Sequence, residues 1–280
     1  MTPSHAPGEA QPAPSSFPAG MHALRIDSHG CGLLGVLYTA RGPGPHPTVI
    51  VLHGFPGNER NFDLAHLLRQ GGYNSVVVHY RGSWGSAGTF SFEHCLQDVE
   101  AVLAFLRDPA HATTLRVDPR RLALVGHSMG GFAALMTAAR DTNITATASL
   151  AGFNFGAHAD HLVKHPEQQT AWAAALHEEL APLRGATGQG LLDEYLRFGA
   201  AWNVQRVAPA FRARHVLLLA GTHDAVAAPA LHHAPLVTAL QNAAALVSHD
   251  AWPTDHNFSE RRQELGARLL AWLAQVMPTL

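Results

Sequence analysis

The stretch Leu122-Ala123-Leu124-Val125-Gly126-His127-Ser128-Met129-Gly130-Gly131 leaves this chain the least freedom. An apolar run with strand character stops at Gly126, and Met129-Gly130-Gly131-Phe132-Ala133-Ala134-Leu135 reads as the start of a helix. Between them Gly126-x-Ser128-x-Gly130 calls for a very sharp turn. The serine there takes strained dihedrals, and only glycine-sized neighbours fit two residues to either side. The turn lifts the Ser128 hydroxyl out of the sheet and sets it at a helix N-terminus, where free N–H groups and the helix dipole favour negative charge.

The rest of the chain supplies a sheet for that turn to sit in. Residues 23–27 and 33–39 alternate apolar and polar side chains about His29-Gly30, as an antiparallel hairpin does. Thr48-Val49-Ile50-Val51-Leu52 is a continuous apolar run of the kind buried on both faces of a parallel sheet, and it ends in His53-Gly54-Phe55-Pro56-Gly57. A short helix over 61–70, a buried strand over 75–79, a helix over 92–106 and a strand over 144–150 follow. The alternation predicts an α/β fold: a mostly parallel twisted sheet with right-handed crossovers and helices on both faces.

Between residues 157 and 207 no strand pattern occurs, and Trp172, Leu176, Leu180, Tyr195, Phe198 and Trp202 supply apolar surface at helical spacing. This segment reads as a helical cap inserted in the sheet, or alternatively as long packing helices. The sheet resumes over 215–220 and 244–248, and a final amphipathic helix over 260–276 covers it. The expected organisation is a flexible tail over 1–20, an α/β core over 21–156 and 208–280, and a cap over 157–207.

Composition removes several classes of partner. A formal charge of −2 gives no reason to expect nucleic acid or an anionic membrane surface, and no apolar run is long enough to span a bilayer. The Pro-, Ala- and Ser-rich start lacks the basic and apolar regions of a signal peptide. Cys31 and Cys95 are too few for a disulfide framework, which makes a cytoplasmic location the default. Twenty histidines are unusual, but His158, His161 and His165 share a helical spacing without a carboxylate or cysteine to complete a metal ligand set, so no metal is expected. The oligomeric state stays open between monomer and homodimer.

In an open parallel sheet, binding residues gather beyond the carboxyl ends of the strands. Gly54-Phe55, Ser128, Gly221-Thr222-His223-Asp224 and Asp255-His256-Asn257 all fall there, in the order Ser…Asp…His. A serine hydroxyl attacks an acyl carbon only if a base takes its proton, and an imidazole suits that role. His256 is the candidate base, with His223 its rival. Asp224 is the candidate carboxylate that orients the imidazole, with Asp250 or Asp255 as alternatives. N–H groups of Met129 and Phe55 are candidate donors to an oxyanion. His53 and His127 flank that site and are expected to pack and hydrogen-bond.

His53-Gly54-Phe55-Pro56-Gly57, Gly126-His127-Ser128-Met129-Gly130-Gly131, Gly221-Thr222-His223-Asp224 and Asp255-His256 together resemble the α/β-hydrolase superfamily. The likeness covers most of the chain from about Ala23 onward, apart from the cap. Tyr80-Arg81-Gly82-Ser83-Trp84-Gly85-Ser86 resembles the corresponding loop of the dienelactone-hydrolase-like and prolyl-oligopeptidase-related branch, although the nucleophile of dienelactone hydrolases is cysteine. The resemblance implies hydrolysis by a Ser-His-Asp triad without organic cofactor or metal; it does not identify the substrate, for which a small-molecule ester is expected. The expected activity is that of a carboxylic ester hydrolase acting on an uncharged acyl group of small or medium size. Small-substrate amidase or peptidase action, carbon–carbon bond hydrolysis and a non-catalytic binding role are the alternatives. Candidate pocket residues are Trp84, Phe153 and Phe155, with cap aromatics such as Trp172 or Trp202. Arg81 is there to hold a substrate carboxylate or to pair with a loop acid. The cap shows no clear glutamate pair for gripping a free amino terminus.

Overall fold

The structure, a computed structural model, describes residues 16–279, so most of the tail expected over 1–20 lies outside the described residues. The hairpin comes first, as β1 (Gly20–Ser28) and β2 (Cys31–Thr39). His29 at φ 51° and Gly30 at φ 77° both lie in the left-handed region, the two-residue turn whose twist matches that of the strands it joins.

The further strands are β3 (His46–Leu52), β4 (Asn74–Val78), β5 (Val117–His127), β6 (Ile144–Leu150), β7 (His215–Gly221) and β8 (Leu246–Trp252). They complete an eight-stranded sheet in the order β1-β2-β4-β3-β5-β6-β7-β8. β1, β2 and β4 pair antiparallel, and every pair from β4 through β8 is parallel.

Side chains that alternate along the inner strands feed two cores. Val49, Val51, Ala123 and Val125 pack with Leu64 and Leu68 of α1 (Phe62–Gln70) and with Leu265, Leu269 and Trp272 of the last helix (Arg262–Val276). Ile50, Leu52, Leu122 and Leu124 pack on the other face. There they meet α2 (Phe92–Arg107) and the helix that starts at Met129, with the short α3 (Pro109–Thr114) between them in the chain. Continuous burial on both faces is why these strands read as unbroken apolar runs.

The helix Met129–Arg140 is α4. The segment between β6 and β7 folds as α5 (Phe155–Lys164), α6 (Gln169–Glu178) and α7 (Gly188–Phe198), and none of it forms a strand. Phe155, Leu162, Leu176, Leu191, Tyr195 and Trp202 are its buried anchors. Two polar ties fix it to the core. Asn154 caps α5 through the Ala157 N–H (3.2 Å) and accepts the Val204 N–H (3.3 Å). Glu194 of α7 accepts the amides of Phe92 (3.0 Å) and Glu93 (2.8 Å), so it satisfies the free N–H groups that open α2.

Some boundaries differ from expectation. The crossover from β7 to β8 carries α8 (Pro229–His232) and α9 (Ala234–Asn242), which a parallel connection requires. Ala244, left-handed at φ 57°, ends that turn, so β8 runs from Leu246 to Trp252 and not over 244–248. The last helix, α10, begins at Arg262 because Phe258 is left-handed at φ 56° and Ser259–Arg261 form a 3-10 turn. Both thiols are free, and among the described residues no helix is long and apolar enough to cross a membrane.

Candidate active site

Ser128 sits at the end of β5 with φ 56° and ψ −120°, off the regions a side chain ordinarily adopts. Close approach of backbones forces the flanking glycines. A Cβ on Gly126 would lie 1.9 Å from the Gly130 carbonyl oxygen, and one on Gly130 would lie 2.1 Å from that of Leu52. The Ser128 N–H donates to Leu150 (2.9 Å), and its carbonyl accepts from Gly131 (2.9 Å) and Phe153 (3.1 Å). The main chain is therefore pinned from three directions. The hydroxyl opens into a cavity of about 480 Å³ and has no hydrogen-bond partner among the described residues.

Asp224 follows β7, and its side chain is wholly enclosed. One carboxylate oxygen accepts the amides of Val226 (2.8 Å) and Ala227 (2.7 Å), and the other accepts His256 Nδ1–H at 2.7 Å. Burial raises the Asp224 carboxyl, but the bond and charge of His256 and the two amides outweigh it and hold the pKa below the ordinary value. The rival acids are occupied elsewhere. Asp250 pairs with Arg268 at 2.8 Å, and Asp255 takes the Ser259 N–H and hydroxyl at 2.8 and 2.6 Å. His223 points to solvent.

His256 lines the cavity beside Ser128, although no hydrogen bond joins the two. With Nδ1 committed to Asp224, Nε2 is its remaining acceptor. The loop that carries it is held by His127, whose Nε2–H donates to the His256 carbonyl at 2.8 Å while the two rings lie 4.8 Å apart. Burial lowers the His127 pKa to about 4, and His53, with Nδ1 on the Gly54 carbonyl, is lowered to about 3 for the same reason. Both rings are neutral packing and hydrogen-bonding groups. Met129 is the first residue of α4, where N–H groups lack intrahelical acceptors, and it lines the cavity together with Phe55.

Of the expected wall residues, Phe153 and Phe155 face the cavity, as does Trp172. Trp202 packs behind them, 6.1 Å from Phe155 and 5.4 Å from Phe132. Two assignments are corrected. Arg81 does not reach the cavity, because its Nε is buried against Asp98 at 2.6 Å and its far nitrogen is bound to Gln97 Oε1 at 2.6 Å. Trp84 stands outside the wall and props it, donating to the Pro56 carbonyl at 2.9 Å beneath the Arg60 guanidinium.

Sequence reasoning missed Phe92 and Tyr195, whose helical spacing marks them as core, and it missed the charge at the mouth. Glu59, Glu178 and Glu179 all line the opening, so a glutamate pair is present after all. The signal was legible in α6. Trp172, Ala175, Leu176 and Glu179 recur at i, i+3, i+4 and i+7, one stripe of a helix, and all four face the cavity. His158, His161 and His165, at which no metal is expected, stack along α5, with His158 Nδ1 3.2 Å from the Tyr195 hydroxyl.

Comparison with known proteins settles the family. The model of the alpha/beta hydrolase family matches residues 49–278. This chain belongs to that family. Among curated proteins it is 36% identical to the uncharacterized protein YfhR of Salmonella typhi over 85 residues, and 25% identical to the quorum-quenching protein AidA of Acinetobacter baumannii over 169 residues. The matched stretches span 30% and 58% of this chain but only 27% and 54% of those two proteins.

Solved structures share its fold. The 2,6-dihydroxy-pseudo-oxynicotine hydrolase is 22% identical with a TM-score of 0.66, over 94% of this chain and 69% of its own. Est1E of Butyrivibrio proteoclasticus, seen with ferulic acid, is 16% identical with a TM-score of 0.67, over 91% of this chain and 99% of its own. An acylaminoacyl peptidase of Pyrococcus horikoshii is 16% identical with a TM-score of 0.69, over 94% of this chain and 42% of its own.

Proposed function

We propose that the protein is a serine hydrolase that cleaves carboxylic esters of small or medium acyl groups through an acyl-enzyme. One observation carries the reading: His256, hydrogen-bonded to Asp224, lines the same cavity as the Ser128 hydroxyl, which has no hydrogen-bond partner among the described residues. His256 Nε2 takes the Ser128 proton as the hydroxyl oxygen attacks the carbonyl carbon, and then delivers it to the departing alkoxide. Water attacks the acyl-enzyme by the same route and releases the acid. A hydrogen bond between nucleophile and base that forms only on substrate binding is ordinary in such sites.

Asp224 fixes the imidazole tautomer and stabilises the imidazolium. The amides of Phe55 and Met129 stabilise the tetrahedral oxyanion, each donor contributing roughly 3 kcal/mol in the transition state. Phe153 and Phe155 receive the acyl group, and residues 157–207 act as a cap over it. The test is hydrolysis of p-nitrophenyl esters by the purified chain, with Ser128→Ala or His256→Ala reducing kcat by about 10⁴-fold. Undiminished turnover in either variant would refute the assignment. A matched anilide cleaved as fast as the ester would move the reading to an amidase.

A further inference from the structure

Glu178 and Glu179 close the last turn of α6, where the negative end of the helix dipole disfavours anions and favours cations. Neither carboxylate has an ion-pair partner among the described residues. Glu59, at the same mouth, is partly answered by the Asn61 N–H at 2.6 Å and by Arg262 at 4.0 Å. Among the described residues no lysine or arginine lines the cavity, and the His127 ring inside it is neutral. Two carboxylates without an ion-pair partner among the described residues, set where the helix itself repels them, are a focus of negative potential.

That focus belongs to a space which independently calls for a ligand. At its floor Ser128, a residue only 7% exposed, lines the cavity with a hydroxyl that has no hydrogen-bond partner among the described residues. Between floor and mouth the wall is aromatic, with Trp172 on the same helical stripe as Glu179. Indole faces attract cations as well as apolar groups.

Building on the serine-hydrolase reading, we infer that the cavity takes esters or amides whose part remote from the reacting carbonyl carries an ammonium or guanidinium group. The apolar segment lies along the aromatic wall, and the cation sits at the Glu178–Glu179 pole. The expectation of an uncharged acyl group gives way to a substrate that is apolar at the reacting end and positive at the other.

The test compares p-nitrophenyl esters of an ω-ammonio acid and of the fatty acid of equal length. At low ionic strength kcat/KM is expected to favour the cationic ester by roughly fivefold to tenfold. Added salt should shrink the advantage as the Debye length shortens. In the Glu178→Gln/Glu179→Gln double variant the ratio of the two esters should fall toward one, and taking the ratio within each variant cancels any general loss. A parent ratio at or below one, or a ratio that neither salt nor the double substitution moves, overturns the inference.

Calorimetric titration of Ser128→Ala with the methyl esters of the same two acids reads the mouth without chemistry. Binding of the cationic ester alone, lost in the double variant, supports the inference, and equal binding overturns it. Fluorophosphonate labelling of Ser128 decides the hydrolase reading separately.

Discussion

The floor and the mouth of the cavity are built by opposite means. At the floor every group is over-determined: Ser128 by four main-chain bonds and two glycines without room for a Cβ, Asp224 by two amides and a ring nitrogen, His256 by that carboxylate and by His127. At the mouth Glu178 and Glu179 hang from the end of a helix, exposed and without an ion-pair partner among the described residues. Rigid, desolvated groups can stabilise a transition state because they need no reorganisation when charge develops. Exposed carboxylates act over a longer range and more weakly, which suits recruitment and discrimination of substrates. Changes at the floor should therefore act on kcat, and changes at the mouth on KM.

The sharpest challenge to this contrast is Asp224→Asn, which keeps the shape and removes the charge. A loss in kcat of about 10⁴-fold with KM little changed is expected in steady-state kinetics, because the asparagine amide favours the wrong tautomer of His256. His127→Phe comes next. It keeps a ring against His256 but loses the 2.8 Å bond to its carbonyl, so the base drifts and kcat should fall about 10- to 100-fold. A rise in KM alone would place His127 with the mouth.

Acid should separate the two regions as well. Burial holds the pKa of His53 to about 3, of His127 to about 4 and of His232 to about 3. Below pH about 6.5 an unfolded chain takes up protons that these buried rings refuse. Stability should consequently fall as pH drops from about 6.5 toward 4, by up to roughly 1.4 kcal/mol per pH unit for each ring. Thermal unfolding across that range measures it, and a flat midpoint would mean the rings are not held neutral. The glutamate exchanges at the mouth are expected to give the smallest effects, a few-fold in the ratio of two esters.

The contrast also explains what could be read from the sequence. The floor is legible because its geometry is local. Gly126-x-Ser128-x-Gly130 specifies its own turn, and strand ends place Asp224 and His256 along one rim of the sheet. The hairpin about His29-Gly30 and the buried strands were legible for the same reason, since period and turn residues act within a few positions.

The mouth depends on how α6 docks: its period marks Trp172, Ala175, Leu176 and Glu179 as one face, but not what that face is turned toward. Phe92 and Tyr195 read as core residues, and they do pack in the core while also forming the wall. Arg81 was open to two readings, and Asp98, seventeen residues on along a helix, decided between them. Trp84 was drawn to the cavity by its type, but its left-handed backbone at φ 48° turns it to the outer side of the loop.

Glu194 carries a consequence for how molecules enter. Its carboxylate is buried against the first amides of α2, while its neighbour Tyr195 lines the cavity. Swinging α7 aside would strand a charge and two N–H groups together, a penalty larger than ordinary thermal motion covers. That helix is expected to stand as a fixed part of the cavity wall, so that the width of the space already present, and not the lifting of a hatch, would decide which molecules are admitted.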